Sequence, residues 1–294
     1  MAYPQVSAPY GFKPVNRLDG LPYAGATRQI PIAYNYGNNI FYGDTVELTT
    51  NGTIVRSSYT CASSPTSPIA GTIGVFMGCS YTSPATGQKL FSQFYPANTA
   101  ANDILAFVVD DPRALFKAVV TTQGTSLANT STTVGYMNPY YVGSNAYPIG
   151  GGGGVTGSTI TGDSAFSISG GAVVSGTSGT GARVTAAAPF RIVGAVPESA
   201  VVLSGTGSTS GSSATVTLTA AVTGLLPGMQ LICPTGTGTL AGNYATVINV
   251  ATTTLTVNTP VTLASGSALT FVGYPEMLVA WNGNFHSYNY TTGV

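Results

Sequence analysis

Apolar and polar residues alternate along most of this chain with the two-residue period of a β-strand, and Gly, Pro, Asn and Ser interrupt the alternation every few positions. The clearest case is Thr45 to Thr50, Asn51-Gly52, then Thr53 to Ser58, which predicts a hairpin closed by a type I′ turn. A two-residue loop would pair Thr50 with Thr53 and set Glu47 across from Arg56, with Val46, Leu48 and Val55 on the other face. Further strands are predicted at 71–77, 90–94 and 104–109. Asp110-Asp111-Pro112-Arg113 ends the last of these and opens a helix-like turn over 113–119. No other stretch sustains a 3.6-residue period, so the chain is expected to be all-β.

The first thirty-one residues follow a different pattern. Pro4, Pro9, Pro14, Pro22 and Pro31 recur among Tyr3, Tyr10, Phe12 and Tyr23, which excludes a helix and predicts an extended N-terminal arm over 1–31. Exposed aromatics on such an arm need a groove, and a neighbouring subunit is the favoured one, with packing on its own domain as the alternative. The candidate docking residues are Tyr3, Tyr10, Phe12, Lys13, Arg17, Asp19, Tyr23 and Arg28, the charged ones placed to fix register by ion pairs.

Residues 201–272 contain no Asp, Glu, Lys, Arg or His. Within them Ala214, Val216 and Leu218 alternate with Thr215, Thr217 and Thr219, and strands follow at 246–250, 255–257 and 269–272, predicting a small two-sheet module with a Thr-covered outside. Its edge strands lack charged guards and would need neighbours or capping loops. On either side, Pro189 to Val196 and Pro275 to Trp281 read as two strands of one sheet, with Asn282-Gly283 turning into a last strand, Phe285 to Tyr290. The module is therefore an insertion. The expected organisation is an arm over 1–31, a β-rich base domain over 32–200 and 273–294, and the inserted module over 201–272. Residues 155–188 read as a second, lesser elaboration.

Composition narrows the chemistry. Lys plus Arg number 9 and Asp plus Glu 9, so charged residues are 6% of the 294 residues, where a soluble domain carries about 25%. A net charge of zero lacks the basic footprint of a nucleic-acid binder and favours association. No apolar run approaches the roughly 18 residues of a spanning helix, so no membrane partner is expected. One His, at 286, and Cys61, Cys79 and Cys233, with no C-x-x-C, do not make a zinc site; the cysteines read as small buried hydrophobes, reduced in a cytosol. No secretory signal is visible at the N-terminus, so the sequons at Asn51, Asn129 and Asn289 read as accidents of composition.

Asp110 and Asp111 are adjacent acids, but strand neighbours point to opposite faces, and an Asp before Pro starts turns or caps helices. The glycines at 150–154 are followed by no Lys-Ser or Lys-Thr and read as a hinge rather than a phosphate loop. Trp281 reads as a core anchor and His286 as a surface or hydrogen-bonded strand residue far from any base partner. The expectation is a non-enzymatic protein without catalytic residues, metal or cofactor.

The opening SAPYGFKPVNRLDGLPYAGATRQIPI, the hairpin GDTVELTTNGTIV and the segment GTIGVFMGCSY resemble structural proteins of tailed bacteriophages, marine phages especially, many of which are head decoration or cement proteins. The resemblance covers 1–200 and 273–294, and the inserted PGMQLICPTGTGTLAGNYATVINVATTTLTV is similar to the Ig-like modules that ornament phage virions. It implies a β-barrel-like base seated on the capsid surface as a homotrimer and bound to the major capsid protein. The inserted β-sandwich (Ig-like) module would face solvent, and the chain would be made in the host cytoplasm. Deleting residues 1–30 is then expected to leave a folded protein that no longer stays on heads. The other classes are a tail fibre or adhesin binding host glycans, with Tyr244 as its test residue, a major capsid protein, which normally needs a long helix, and an enzyme dependent on His286 or Asp110.

Overall fold

Strands built from short alternating runs account for the whole framework. The computed structural model describes residues 8–57, 72–122, 125–126, 142–149, 157–169, 188–196, 199, 202–232, 238–240, 244–274 and 276–289. Among them the chain is all-β, with two 3-10 turns at Gly283–Phe285 and Ser287–Asn289. Tyr3, Cys61, Asn129, the glycines at 150–154, Cys233 and all of 170–187 lie outside the described residues. The chain divides into two compact units, one of Pro9–Gly124, Pro139–Ala195 and Met277–Val294, the other of Val196–Glu276 with Met1–Ala8 and Thr125–Asn138.

In the first unit, Arg28–Pro31, Leu105–Val109, Thr72–Thr82, Thr45–Leu48 and Ile54–Arg56 lie side by side, and Lys89–Ser92 pairs with the second half of Thr72–Thr82. A parallel bridge from Ile32 to Ile54 joins the two ends. The sheet thus curls round a core that includes Ile30, Ile40, Val46, Ile54, Phe76 and Tyr95. Cys79 is buried in this core, and burial pushes its thiol up to about 12, the behaviour of an inert small hydrophobe. A second sheet runs in the order Asn145–Ala146, Phe190–Val196, Glu276–Trp281, Ala114–Thr122, Ser167–Ser169 and Pro148–Ile149, with Lys13–Arg17 also paired to Ala114–Thr122. The two strands expected to flank the insertion are therefore neighbours in one sheet.

Three local expectations change. The Thr45–Leu48 hairpin pairs Val46 with Arg56 and Glu47 with Val55, one step from the expected register. Its loop has three residues: Gly52 N donates to Thr49 O at 2.9 Å, Thr49 N donates to Thr53 O at 2.8 Å, and Gly52 has φ +74° while Asn51 does not take a positive φ. That is a type I turn followed by a left-handed glycine, not a type I′ turn. Residues 113–119 are not helical, because Ala114–Thr122 is a strand. Ala114, Leu115, Phe116, Ala118, Val119 and Val120 are all buried, so the run is covered on both faces like a central strand, and Asp110-Asp111-Pro112 only makes the turn into it. The last expected strand, Phe285 to Tyr290, is replaced by the 3-10 turns, because Asn282 is drawn into the sheet instead: its N donates to Pro189 O at 2.8 Å and its side-chain amide to Asn145 and Ala188.

The second unit carries the expected strands as Val202–Ser208, Ser212–Leu218, Gln230–Ile232, Tyr244–Ala251, Thr254–Leu263 and Ser267–Val272. Val216, Leu218, Leu231, Val247, Leu255 and Phe271 point into the core, while Thr215, Thr217, Thr254 and Thr262 are exposed. The two expected layers are continuous with each other. Ser212–Leu218 pairs with both Val202–Ser208 and Thr254–Leu263, so six strands close into a ring. Bulges at Ser213/Thr215 and Val247/Asn249 supply the bending. Among the described residues, ring closure removes the long unguarded edges expected of the charge-free sequence, apart from the short Gly238–Leu240 strand alongside Thr254–Leu263. At the root, Ser199 Oγ donates to Val196 O at 2.6 Å and accepts from Glu276 N at 2.7 Å, holding the incoming and outgoing strands together.

Candidate functional site

From residue 9 onward the N-terminal segment is woven into its own chain. Gly11 turns it inward: its φ is +79°, its N donates to Phe166 O at 2.9 Å, and a Cβ there would fall 2.6 Å from Gly43 O. Phe12 follows, fully buried, with its ring stacked 4.5 Å from Phe190, which in turn stacks 4.3 Å from Trp281. Burying a ring of this size contributes about 2–3 kcal/mol. Lys13–Arg17 then pairs antiparallel with Ala114–Lys117, and Val15 is the extra residue of a bulge between Pro14 and Asn16.

A tight hairpin comes next. Gly20 N donates to Arg17 O at 3.0 Å, Arg17 N donates to Leu21 O at 2.9 Å, and Gly20 has φ +84°, the same turn as at Thr49–Thr53. Asp19 Oδ1 accepts from Leu21 N at 3.3 Å, and Leu18 N donates to Arg113 O at 2.9 Å, tying the hairpin to the turn before Ala114–Thr122. The chain then runs to Arg28–Pro31, which pairs with Leu105–Val108.

The charged residues clamp this path. Arg17 Nε lies 3.1 Å from Asp111 Oδ2, an ion pair without hydrogen-bond alignment, and Arg17 Nη2 lies 3.3 Å from Asp19 Oδ2. Arg28 Nε lies 2.6 Å from Asp110 Oδ2, the same oxygen that accepts from the Tyr288 hydroxyl at 2.7 Å, and the Arg28 guanidinium sits 5.2 Å from the Tyr288 ring centre. Burial and the Asp110 carboxylate push the Tyr288 hydroxyl up to about 12. Half-exposed pairs of this kind are worth about 0–1 kcal/mol each, so they orient the segment while Phe12 anchors it. Asp110 and Asp111 take separate partners, Arg28 with Tyr288 for one and Arg17 for the other, and Asp111 Oδ1 also accepts from Arg113 N at 2.8 Å.

His286, expected at the surface or on a strand, is fully buried between the two 3-10 turns. Its Nδ1 accepts from Tyr288 N at 3.3 Å, its Nε2 closes no hydrogen bond among the described residues, and burial lowers its pKa against the raising effect of the Ile73 and Asp110 backbone and of the Asp110 and Asp111 carboxylates. Its ring meets Trp281 edge-on at 5.6 Å, and Trp281 is the expected core anchor, also edge-on to Phe116 at 6.1 Å.

The expected docking residues thus separate. Phe12, Lys13, Arg17, Asp19 and Arg28 are committed to their own chain, and so is the backbone of two arm strands, because that backbone completes sheets the rest of the unit leaves open. Lys13 Nζ sits 4.4 Å from the Tyr10 ring centre and 4.0 Å from Asp163, and the Tyr23 hydroxyl donates to Ala26 O at 3.1 Å. The groove for this segment is therefore on its own domain. What the segment shows to solvent is an apolar trio that the aromatic reading passed over: Val15 at 40%, Leu18 at 49% and Leu21 at 54% exposed. The Leu-Asp-Gly-Leu run carries that signal, since a turn at Asp19-Gly20 throws its flanking leucines outward.

In the second unit a groove of about 450 Å³ is lined by Leu203, Ser204, Gly205, Thr206, Val222 and Thr223 among others. Comparison with protein-family models, with curated proteins and with solved structures finds no match for this chain.

Proposed function

We propose that this chain is a non-enzymatic structural protein of a tailed-phage virion, a decoration or cement protein seated on the outer surface of the head. In this reading it is made in the host cytoplasm, assembles as a homotrimer and ties major capsid protein subunits together, while the inserted module, ornamental in the Ig-like manner, faces solvent. The observation that carries the reading is the trio Val15, Leu18 and Leu21, displayed on a hairpin that Phe12 anchors and Arg17 clamps. Three large exposed apolar side chains within seven residues of a nearly charge-free chain are the makings of a docking patch. A rigid, pre-ordered patch loses little entropy on docking, which suits a part that must hold by buried area rather than chemistry.

The test is a binding assay of the full-length protein on undecorated heads of the phage that encodes it. Leu18→Ser/Leu21→Ser, which alters exposed side chains only, is expected to fold normally and to lose at least tenfold in affinity. A second reading, a tail fibre or adhesin, draws on the neutral groove beside Val202–Ser208. Glycan-array binding by the full-length protein, lost in Thr206→Trp, would favour it.

A further inference from the structure

Asp44 is an acid in a place that admits no charge comfortably. It is fully buried, and its carboxylate meets only two donors among the described residues: Phe41 N reaches Oδ2 at 2.8 Å, and the Ser164 hydroxyl reaches Oδ1. Ser164 Oγ accepts in turn from Phe166 N at 2.9 Å. Three segments distant in sequence are tied together here. Tyr42 N donates to Gly162 O at 3.0 Å and Ser164 N to Tyr42 O at 3.0 Å, joining the 157–166 loop to the turn at Phe41–Asp44. Gly11 N donates to Phe166 O at 2.9 Å and Phe12 N to Gly43 O at 2.9 Å, joining both to the anchored N-terminal segment. Gly43 N and Phe76 N then exchange bonds with Phe76 O and Asp44 O at 2.8 Å, fastening the turn to the Thr72–Thr82 strand.

We propose that Asp44 is a proton-operated latch: with the carboxyl neutral, the 157–166 loop and the Tyr10–Phe12 segment are held on the barrel, and ionisation of the carboxyl loosens both. The surroundings make ionisation costly at the closed joint. Arg56, on the Ile54–Arg56 strand, is the cation that acts on Asp44, from beyond contact; Asp163 on the loop already pairs with Lys13 at 4.0 Å, and burial raises the Tyr42 hydroxyl above its ordinary range, so it stays neutral. The Thr72–Thr82 strand offers only Cys79 and Tyr81, both neutral as well. Desolvation accordingly lifts the Asp44 carboxyl to about 7, against the lowering effect of its two hydrogen bonds. In the opened joint the group is hydrated and returns to the ordinary range near 4. Opening should then become roughly tenfold easier for each pH unit between about 4 and 7, and level off above. The effect bears on the docking hairpin, because Phe12 is its anchor.

Native-state hydrogen exchange on the full-length protein tests this, with rates normalised for intrinsic exchange and read at the amides of Phe12, Ser164 and Phe166. Protection is expected to fall about thirtyfold from pH 5.5 to pH 8.5 in the wild type, and to lose that dependence in Asp44→Asn, whose amide oxygen can accept from Phe41 N and whose amide NH2 can donate to Ser164 Oγ, without the charge. Ser164→Ala removes a donor to the ionised form and is expected to move the midpoint to higher pH. Equal protection at the two pH values, the same pH dependence in Asp44→Asn, or an unmoved midpoint in Ser164→Ala would each overturn the latch.

Discussion

Phe12 shows why single residues were only partly legible. An aromatic on a proline-rich segment looks the same in sequence whether it fills a neighbour's groove or its own core, and only the partners Phe190 and Trp281, far along the chain, decide it. Trp281 was legible because a lone Trp between strand residues has few other uses; His286 was not, since its burial depends on the 3-10 turns rather than on alternation. Phe12→Ala is expected to cost about 3–5 kcal/mol in chemical denaturation, and Arg28→Ala, which removes a half-exposed pair, under about 1 kcal/mol. Asp44 adds a pH dependence with a definite sign. Its folded-state pKa lies above its unfolded value of 3.8, so the folded state binds the proton more tightly and stability declines as pH rises from about 4 to about 7. Melting temperature should drop over that window in the wild type and drop less in Asp44→Asn.

Elements were read well in type and less well in register. The Thr45–Leu48 hairpin was legible from its alternation and its Asn-Gly, but alternation does not count loop residues, and the three-residue loop shifted every pair by one. The same turn recurs at Arg17–Leu21, where Asp-Gly replaces Asn-Gly. The geometry gives a sharp expectation by thermal denaturation: Gly52→Ala and Gly20→Ala should each cost about 1–2 kcal/mol through their positive φ alone, since no atom crowds either position. Asn51→Ala should be nearly neutral, whereas a type I′ turn would make it as costly as Gly52→Ala. The Ala114–Thr122 strand replaces the helix-like turn expected over 113–119: Asp-Asp-Pro-Arg is a helix-start signal, and burial on both faces erases the strand alternation that would counter it.

At the scale of the whole chain, the insertion was legible because a charge-free stretch interrupts two strands of one sheet; the closure of its strands into a ring was not, since it depends on pairings between Ser212–Leu218 and Thr254–Leu263 that no local pattern encodes. Replacing 197–275 by a short Gly-containing turn should leave the first unit folded, as circular dichroism and a cooperative melt would show, because Phe190–Val196 and Glu276–Trp281 are already neighbours. Deletion of residues 1–30 now carries the opposite expectation from the one the arm suggested: it strips Phe12 and the Lys13–Arg17 strand from the sheets and should leave an aggregating protein rather than a folded one. That truncation therefore cannot test docking, whereas exposed side chains on the hairpin can. The most direct measurement is the affinity of full-length protein for undecorated phage heads, compared between the wild type and Leu18→Ser/Leu21→Ser after both are shown to melt alike. The account predicts saturable wild-type binding and a loss of at least tenfold in the variant; equal binding by the two, or no binding by the wild type, would contradict it.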